Sequence, residues 1–231
     1  RMAWQFLEGT EYFSGLSTGE IESLTGQVRF FLAYNYIRLV ALYGDIPLIE
    51  KVLDVEESKN QVRVPKAQVL QFAHNQLDLA INELSGKTLG RGRVTAGACK
   101  ALKARAYLWE NDYSNLLGVT QELIGQYSLN TAGDTPYADL FNGEAEDSDE
   151  IILAREHAHT SGSITTGNRL NKAFFLKGMS GGDALRALTP TGSLVDAYPM
   201  ADGRLIHEAG STYDPRDPYK DREPRVPQFT N

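Results

Sequence analysis

From Ser17 onward, apolar residues recur at helical spacing: Ile21, Leu24, Val28, Phe31 with Leu32, Leu39 and Leu42. Ser17-Thr18-Gly19-Glu20 opens this run as a capping box, with serine three residues before glutamate. The pattern predicts a helix from there to Tyr43. Asn35 is its one polar break, read either as a core hydrogen-bonding group or as a sign that the register is misplaced. Gly44 suits the left-handed turn just past a helix end. Pro47 holds Ile46 out of the helical region, so Asp45 to Ile49 is expected to be extended. Phe30, Phe31, Tyr34, Tyr36 and Tyr43 lie close together, and aromatics this dense predict packing on several sides of the helix.

Residues 1–16 carry Trp4, Phe6, Tyr12 and Phe13 but no helix-start signal. Residues 50–64 are polar and read as a loop. Pro65 suits the first turn of a second helix, which runs to Leu84 with Val69, Ala73, Leu77, Ala80, Ile81 and Leu84 on one face; Ser85-Gly86 ends it. After a loop over 85–94, Thr95 can cap a third helix reaching Asn111, with Ala98, Cys99, Leu102, Ala106 and Trp109 on one side. Asn111-Asp112 makes a tight turn into a fourth helix, Tyr113 to Ile124, stopped by Gly125. Two helices joined so briefly form an antiparallel hairpin. The alanine-rich face against a leucine-rich partner has a tetratricopeptide-like look. Helices Ile21–Tyr43 and Pro65–Leu84 read as a second, looser unit.

Beyond Gly125 the texture changes to Gly, Pro, Asn, Asp and Ser. An acidic stretch, Gly143 to Glu150, precedes a β-like run at Ile151-Ile152-Leu153. A Gly/Ser/Thr-rich region over 157–193 follows. The expectation is a single, mainly α domain over 1–231: a helical scaffold at 17–125 and a loop-rich region at 126–231. Loops held by a rigid scaffold commonly carry binding function.

The net charge of −7 over 231 residues argues against nucleic acid, which calls for a basic patch, and leaves a neutral ligand open. One cysteine, Cys99, excludes an intrachain disulfide and leaves the compartment open. No run reaches the apolar length that spans a bilayer. The chain opens at Arg1 in what reads as mid-domain sequence, so a piece trimmed at both ends is expected.

No catalytic constellation stands out. Glu144, Glu146, Asp147, Asp149 and Glu150 lack the spaced ligands and set glycine of a calcium loop and read as a solvated acidic loop. His157 and His159 alternate as strand neighbours would, with no third zinc ligand marked. Cys99, among alanines, reads as a small buried hydrophobe. Trp109, Tyr34 and Tyr36 read as core. No metal and no cofactor is expected.

Four blocks in order resemble the RagB/SusD family of glycan-binding outer-membrane lipoproteins. They are Arg29-Phe30-Phe31-Leu32-Ala33-Tyr34 with Leu42-Tyr43-Gly44-Asp45-Ile46-Pro47-Leu48; Arg63-Val64-Pro65 leading to Leu77 through Leu84; Gly92-Arg93-Val94-Thr95-Ala96-Gly97-Ala98 through Ala106-Tyr107-Leu108; and Thr189-Pro190, Leu194 through Tyr198, Asp202-Gly203, then Tyr219 through Arg225. Gln27, Leu32 and Glu223 depart from the usual residues of the family, in scaffold blocks. The resemblance implies tetratricopeptide-like hairpins bearing a loop-rich, ligand-facing region. It also implies non-catalytic capture of oligosaccharide or polysaccharide, and hand-over to a SusC-like TonB-dependent transporter. A lipid anchor at the extracellular face of the outer membrane is implied for the full-length precursor, although the cysteine that would carry it is not in this chain. Two alternatives stay open: a tetratricopeptide-type protein-interaction module, and a lid of the same kind for a peptide nutrient. A glycoside hydrolase would need two carboxylates facing across a cleft, and no such pair is marked.

A sugar ligand calls for flat apolar side chains against C–H faces and planar polar groups for paired hydroxyls. The best cluster for that chemistry is Asn168, Arg169, Asn171, Phe174 and Phe175, with Trp4, Tyr12 and Tyr213 as further candidates. The competing reading is that Phe174 and Phe175 plug the loops onto the helices.

Overall fold

The computed structural model describes residues 1–155 and 190–226. The long helix starts where its capping box lies. Ser17 Oγ accepts from Glu20 N–H, the Glu20 carboxylate accepts from Ser17 N–H, and α2 runs Thr18–Tyr43. It is preceded by α1, Met2–Glu8, and a 3-10 turn at Thr10–Tyr12, neither of which the sequence pattern marks. Gly44 closes α2 with φ +69, a backbone region that costs a residue with a Cβ.

The chain then returns through the connector that ends at Pro65. Val64 N–H donates to the Ile46 carbonyl at 3.0 Å, the bond of an isolated bridge between two extended stretches. The connector was expected to be loop throughout, but α3 forms at Val55–Lys59. Asp54 and Glu57 make a second capping box, and local bonds of this kind suffice for a single turn. Helix α4, Lys66–Leu84, follows. Helix α5, Ala96–Glu110, is capped by Thr95 Oγ1 accepting from Ala98 N–H. Asn111 takes the left-handed conformation, which asparagine tolerates, and Asp112 caps α6, Tyr113–Gln121. Helix α6 stops three residues short of the expected Ile124.

The chain divides into two compact units, residues Arg1–Leu129 with Asp147–Arg155, and Asn130–Glu146 with Glu156–Asn231. The first is a mainly α fold of tetratricopeptide-like hairpins: α2 packs along α4, α4 against α5, and α5 pairs with α6. Its core joins Phe30, Ala33, Ile37 and Val40 of α2 to Val69, Ala73, Leu77, Ala80 and Leu84 of α4, and to Ala98, Cys99, Leu102 and Ala106 of α5. The α4 face is the one its spacing predicts, and so is the α5 face as far as Ala106.

On α2 the buried face is not the predicted one. Of the predicted face Leu32 is buried, but Phe31 is 54% exposed and Leu42 69% exposed, whereas Thr25, Gly26, Phe30, Ala33, Tyr36, Ile37 and Val40 are buried. Asn35 stands exposed, its amide donating to the Phe31 carbonyl at 2.7 Å. The core row is one of small and large residues mixed, because α4 comes close. A Cβ built on Gly26 would lie 2.6 Å from Leu84 Cγ. Reading the largest apolar side chains as the inner face therefore selected a neighbouring row. Trp109, expected in the core, is 51% exposed with the Arg105 guanidinium 5.9 Å from its ring. It lies in the last turn of α5, where the cover over the helix face has ended. Tyr36 is buried as expected, and Tyr34 is half-buried.

Polar ties reinforce the α2–α4 contact. Arg29 Nε donates to both Glu83 oxygens (3.0 and 3.1 Å), and Arg29 Nη1 donates to Gln76 Oε1 at 2.8 Å. On the other side of α4, His74 is buried, stacked on Tyr107 (centroids 4.1 Å apart) and 2.7 Å from Glu110.

The second unit holds α7, Pro136–Asn142, and α8, Gly192–Ala197, within extended and turn-rich chain. The Arg225 guanidinium lies 5.9 Å from the Tyr137 ring and 5.1 Å from the Tyr198 ring. The described residues form no strand, only isolated bridges, and the expected β-like run Ile151-Ile152-Leu153 makes no bridge and bends at Ile152.

The close approach at Gly26 makes a paired prediction. Gly26→Ala should destabilise by about 1–3 kcal/mol through overpacking. Gly118→Ala, where a Cβ meets nothing within 4 Å, should stabilise α6 by about 0.5–1 kcal/mol; urea unfolding of each variant checks both signs. The caps give a pH prediction. Hydrogen bonds from the Ser17 backbone and hydroxyl hold the Glu20 carboxyl below its ordinary value of 4.5. Lys51 and the Asp54 backbone do the same for Glu57, and the Asn115 side chain and backbone lower Asp112. A carboxyl lowered in the folded state stabilises it above the unfolded value and ceases to as pH falls through the folded value. The difference in Tm between wild type and Glu20→Gln should therefore be present at pH 7 and shrink progressively below pH 4.5.

Candidate functional site

Phe174, Phe175, Asn168, Arg169 and Asn171 lie outside the described residues, as do His157 and His159. Trp4 and Tyr213 are described, one in each unit, and they stand in very different surroundings.

Trp4 is half-buried on α1. Its indole N–H donates to the Ile49 carbonyl at 2.8 Å, and its ring lies 6.3 Å from that of Phe72. Tyr36 donates its hydroxyl to the same carbonyl (3.0 Å) and accepts from Ile49 N–H (2.9 Å). Burial raises the Tyr36 phenol above its ordinary value, so it stays protonated and able to donate. Trp4 and Tyr36 thus clip the stretch after Gly44 onto α1 and α2. Both line a groove of about 730 Å³ with Met2, Phe31, Leu39 and Pro47. The groove walls are apolar, and the amide of Asn35 within it is held by its own helix. A groove of that kind suits apolar packing better than hydroxyl recognition. Tyr12, on the 3-10 turn, is exposed.

Tyr213 belongs to a pocket of about 470 Å³ whose walls include Val195, Asp196, Pro218, Tyr219 and Arg222. Arg222 organises it. Its guanidinium is only 5% exposed yet is bonded to no carboxylate among the described residues. Nη2 donates to the carbonyls of Val195 and Tyr198, both at 2.7 Å. Nη1 donates to the Pro218 carbonyl at 3.1 Å, and Nε makes a longer contact with the Pro199 carbonyl at 3.4 Å. A buried charge needs such compensation, and here it comes from peptide dipoles. The same guanidinium lies 5.6 Å from the Tyr213 ring centre. One side chain therefore ties the C-terminal end of α8 to the Pro218 turn and fixes the tilt of Tyr213. Tyr219 is 47% exposed at the pocket mouth. The Asp196 carboxylate is exposed and has no hydrogen bond or ion pair among the described residues.

Asp196, Tyr219 and Arg222 were not marked as ligand-facing by the sequence. The available signal was the block Tyr219 to Arg225, which reads as scaffold because its arginines resemble structural ones. The acidic loop is engaged in part: Asp147 pairs with Arg91. Among the described residues no group of three His, Cys, Asp or Glu is placed to hold a metal ion. Cys99 is fully buried, and burial pushes its thiol up to about 12; at neutral pH it is protonated and unreactive.

No family model matches the chain. Among curated proteins it is similar to a SusD-like protein of Formosa agariphila, 28% identical over 137 residues, an alignment covering 58% of this chain and 26% of that protein. Among solved structures it is similar to a SusD-like protein from Bacteroides fragilis, with a TM-score of 0.79 and 26% identity over 98% of this chain and 46% of that one. It also shares the fold of a SusD-like carbohydrate-binding protein from the same species, with a TM-score of 0.77 and 21% identity over 97% of this chain and 43% of that one. The helical-hairpin fold is that of SusD-like proteins, and the chain is similar in sequence to proteins of that class. It spans about a quarter of the length of the curated relatives it matches, and less than half of the two solved structures.

The arginine clamp makes a direct prediction. Arg222→Met should destabilise the second unit by about 3 kcal/mol, because charge-assisted bonds are lost and buried carbonyls are left unpaired. Limited proteolysis should then cut within 190–226 before it cuts α2, α4 or α5.

Proposed function

We propose that this chain is part of a non-catalytic carbohydrate-capture protein at the outer face of the bacterial outer membrane. In this reading it binds oligosaccharide or polysaccharide and passes it to a SusC-like TonB-dependent transporter. The observation that carries the reading is the similarity to SusD-like proteins, one of them a carbohydrate-binding protein that shares the fold over 97% of the chain. The pocket beside Arg222 supports it, since it combines aromatic rings with unengaged polar groups. Among the described residues its wall includes the carboxylate of Asp196. Among the described residues no helix is long and apolar enough to cross a membrane.

A second reading has its own support. Leu108, Trp109, Tyr113 and Leu117, around the α5–α6 turn, are each more than half exposed. Exposed aromatics of this kind favour a protein partner, as a tetratricopeptide-type interaction module would have.

Affinity gel electrophoresis, with tryptophan and tyrosine fluorescence, against plant, host and microbial polysaccharides separates the two. Capture predicts saturable binding to one glycan class with no new reducing ends. Absence of binding to every polysaccharide, or release of reducing ends, would overturn it.

A further inference from the structure

We propose that the pocket bounded by Asp196, Tyr213 and Tyr219 is a subsite for one neutral pyranose ring of the captured glycan; this rests on the carbohydrate-capture reading. The volume of about 470 Å³ lies within the range of small-ligand sites. Its chemistry narrows the ligand. Tyr213 and Tyr219 offer flat apolar surface with a hydroxyl at the edge, the combination that stacks on sugar C–H faces and still bonds at the rim. Pro190 and Pro218 extend the apolar wall. Asp196, with two acceptor oxygens and no partner among the described residues, can accept from two adjacent hydroxyls.

Charge selects a neutral ring. The positive charge in the wall, Arg222, donates to four backbone carbonyls and lies under Tyr213. Four of its five N–H donors are engaged, so it does not offer a carboxylate or sulfate the bidentate grip that arginine otherwise provides. Asp196 at the mouth repels acidic sugars, and the chain's net charge of −7 opposes their approach. Preorganisation favours binding as well. Arg222 holds both walls, α8 through the Val195 and Tyr198 carbonyls and the Pro218-Tyr219 segment through the Pro218 carbonyl. Less freedom is then lost when a ligand enters.

The test is isothermal titration of the chain with maltohexaose, laminarihexaose, cellohexaose, xylohexaose, mannohexaose and hexagalacturonate. For whichever neutral hexaose binds, Asp196→Asn and Tyr219→Ala should each weaken it about tenfold. Tyr219→Phe, which keeps the ring, should weaken it by less, and hexagalacturonate should bind no variant more tightly than the neutral sugar. Asp196 and Tyr219 are exposed, so the variants should keep the wild-type far-ultraviolet circular dichroism and Tm. A neutral hexaose bound equally by wild type and both variants would overturn the subsite while leaving carbohydrate capture standing. Preference for hexagalacturonate would overturn the neutral class. No binding of any sugar to the wild type, here and in the polysaccharide gels, would overturn both.

Discussion

Everything in the helical unit depends on how closely α2 and α4 approach. Gly26 faces Leu84 at a distance that leaves no room for a methyl group, and Ala33, Ala73 and Ala80 are fully buried. Small residues at a helix crossing bring the backbones together, so that Phe30, Ile37, Leu77 and Val69 interdigitate at close-packed density. The Arg29–Glu83–Gln76 cluster then fixes the register along the seam. Once α2 and α4 are set, Tyr36 is placed to receive Ile49, Trp4 closes over the same peptide, and α1 follows. The same core takes in Ala98, Cys99, Leu102 and Ala106 of α5, and the buried His74 of α4 stacks on Tyr107 of α5.

The second unit is held differently. It contains few buried apolar side chains among the described residues, chiefly Met200 and Val226. Short elements cannot build a large apolar seam, and here a buried arginine gathers four carbonyls instead. Hydrogen bonds to a charge are stronger than neutral ones but depend on geometry. A unit built this way has well-defined walls and room between them, which suits ligand contact more than the fully packed helical seam does. The contrast matches the division of labour in which a rigid scaffold carries variable binding segments.

The functional reading draws on two kinds of support that do not depend on each other. Solved structures show the fold, and relatives show a similarity to SusD-like proteins. Free polar groups and exposed rings around the Arg222 clamp define where binding chemistry is available. The apolar groove beside Trp4 is larger, but Trp4 Nε1, the Tyr36 hydroxyl and the Asn35 amide nitrogen are already bonded there. Size alone therefore does not decide between the two; unengaged donors and acceptors do.

What the sequence by itself determined was the local structure with a local cause. The Ser17 and Thr95 caps, the stop at Gly44, the turn at Asn111-Asp112 and the stripes of α4 and α5 all depend on residues within one or two turns, so spacing reveals them. The four ordered blocks were enough to point to the SusD-like resemblance that relatives and solved structures share. Only the tertiary structure decided which face of α2 is buried. Two apolar rows compete along that helix, and the winner is set by small residues whose value lies in what approaches them. The same holds for Trp109, exposed because its cover ends, and for Tyr36, buried because a carbonyl from beyond Gly44 reaches it. It holds most strongly for the pocket of the second unit. Asp196, Tyr213, Tyr219 and Arg222 come from separate turns, and nothing in their spacing shows that one guanidinium draws those turns together. Its partners are backbone carbonyls, which every residue has, and so they leave no mark in the sequence.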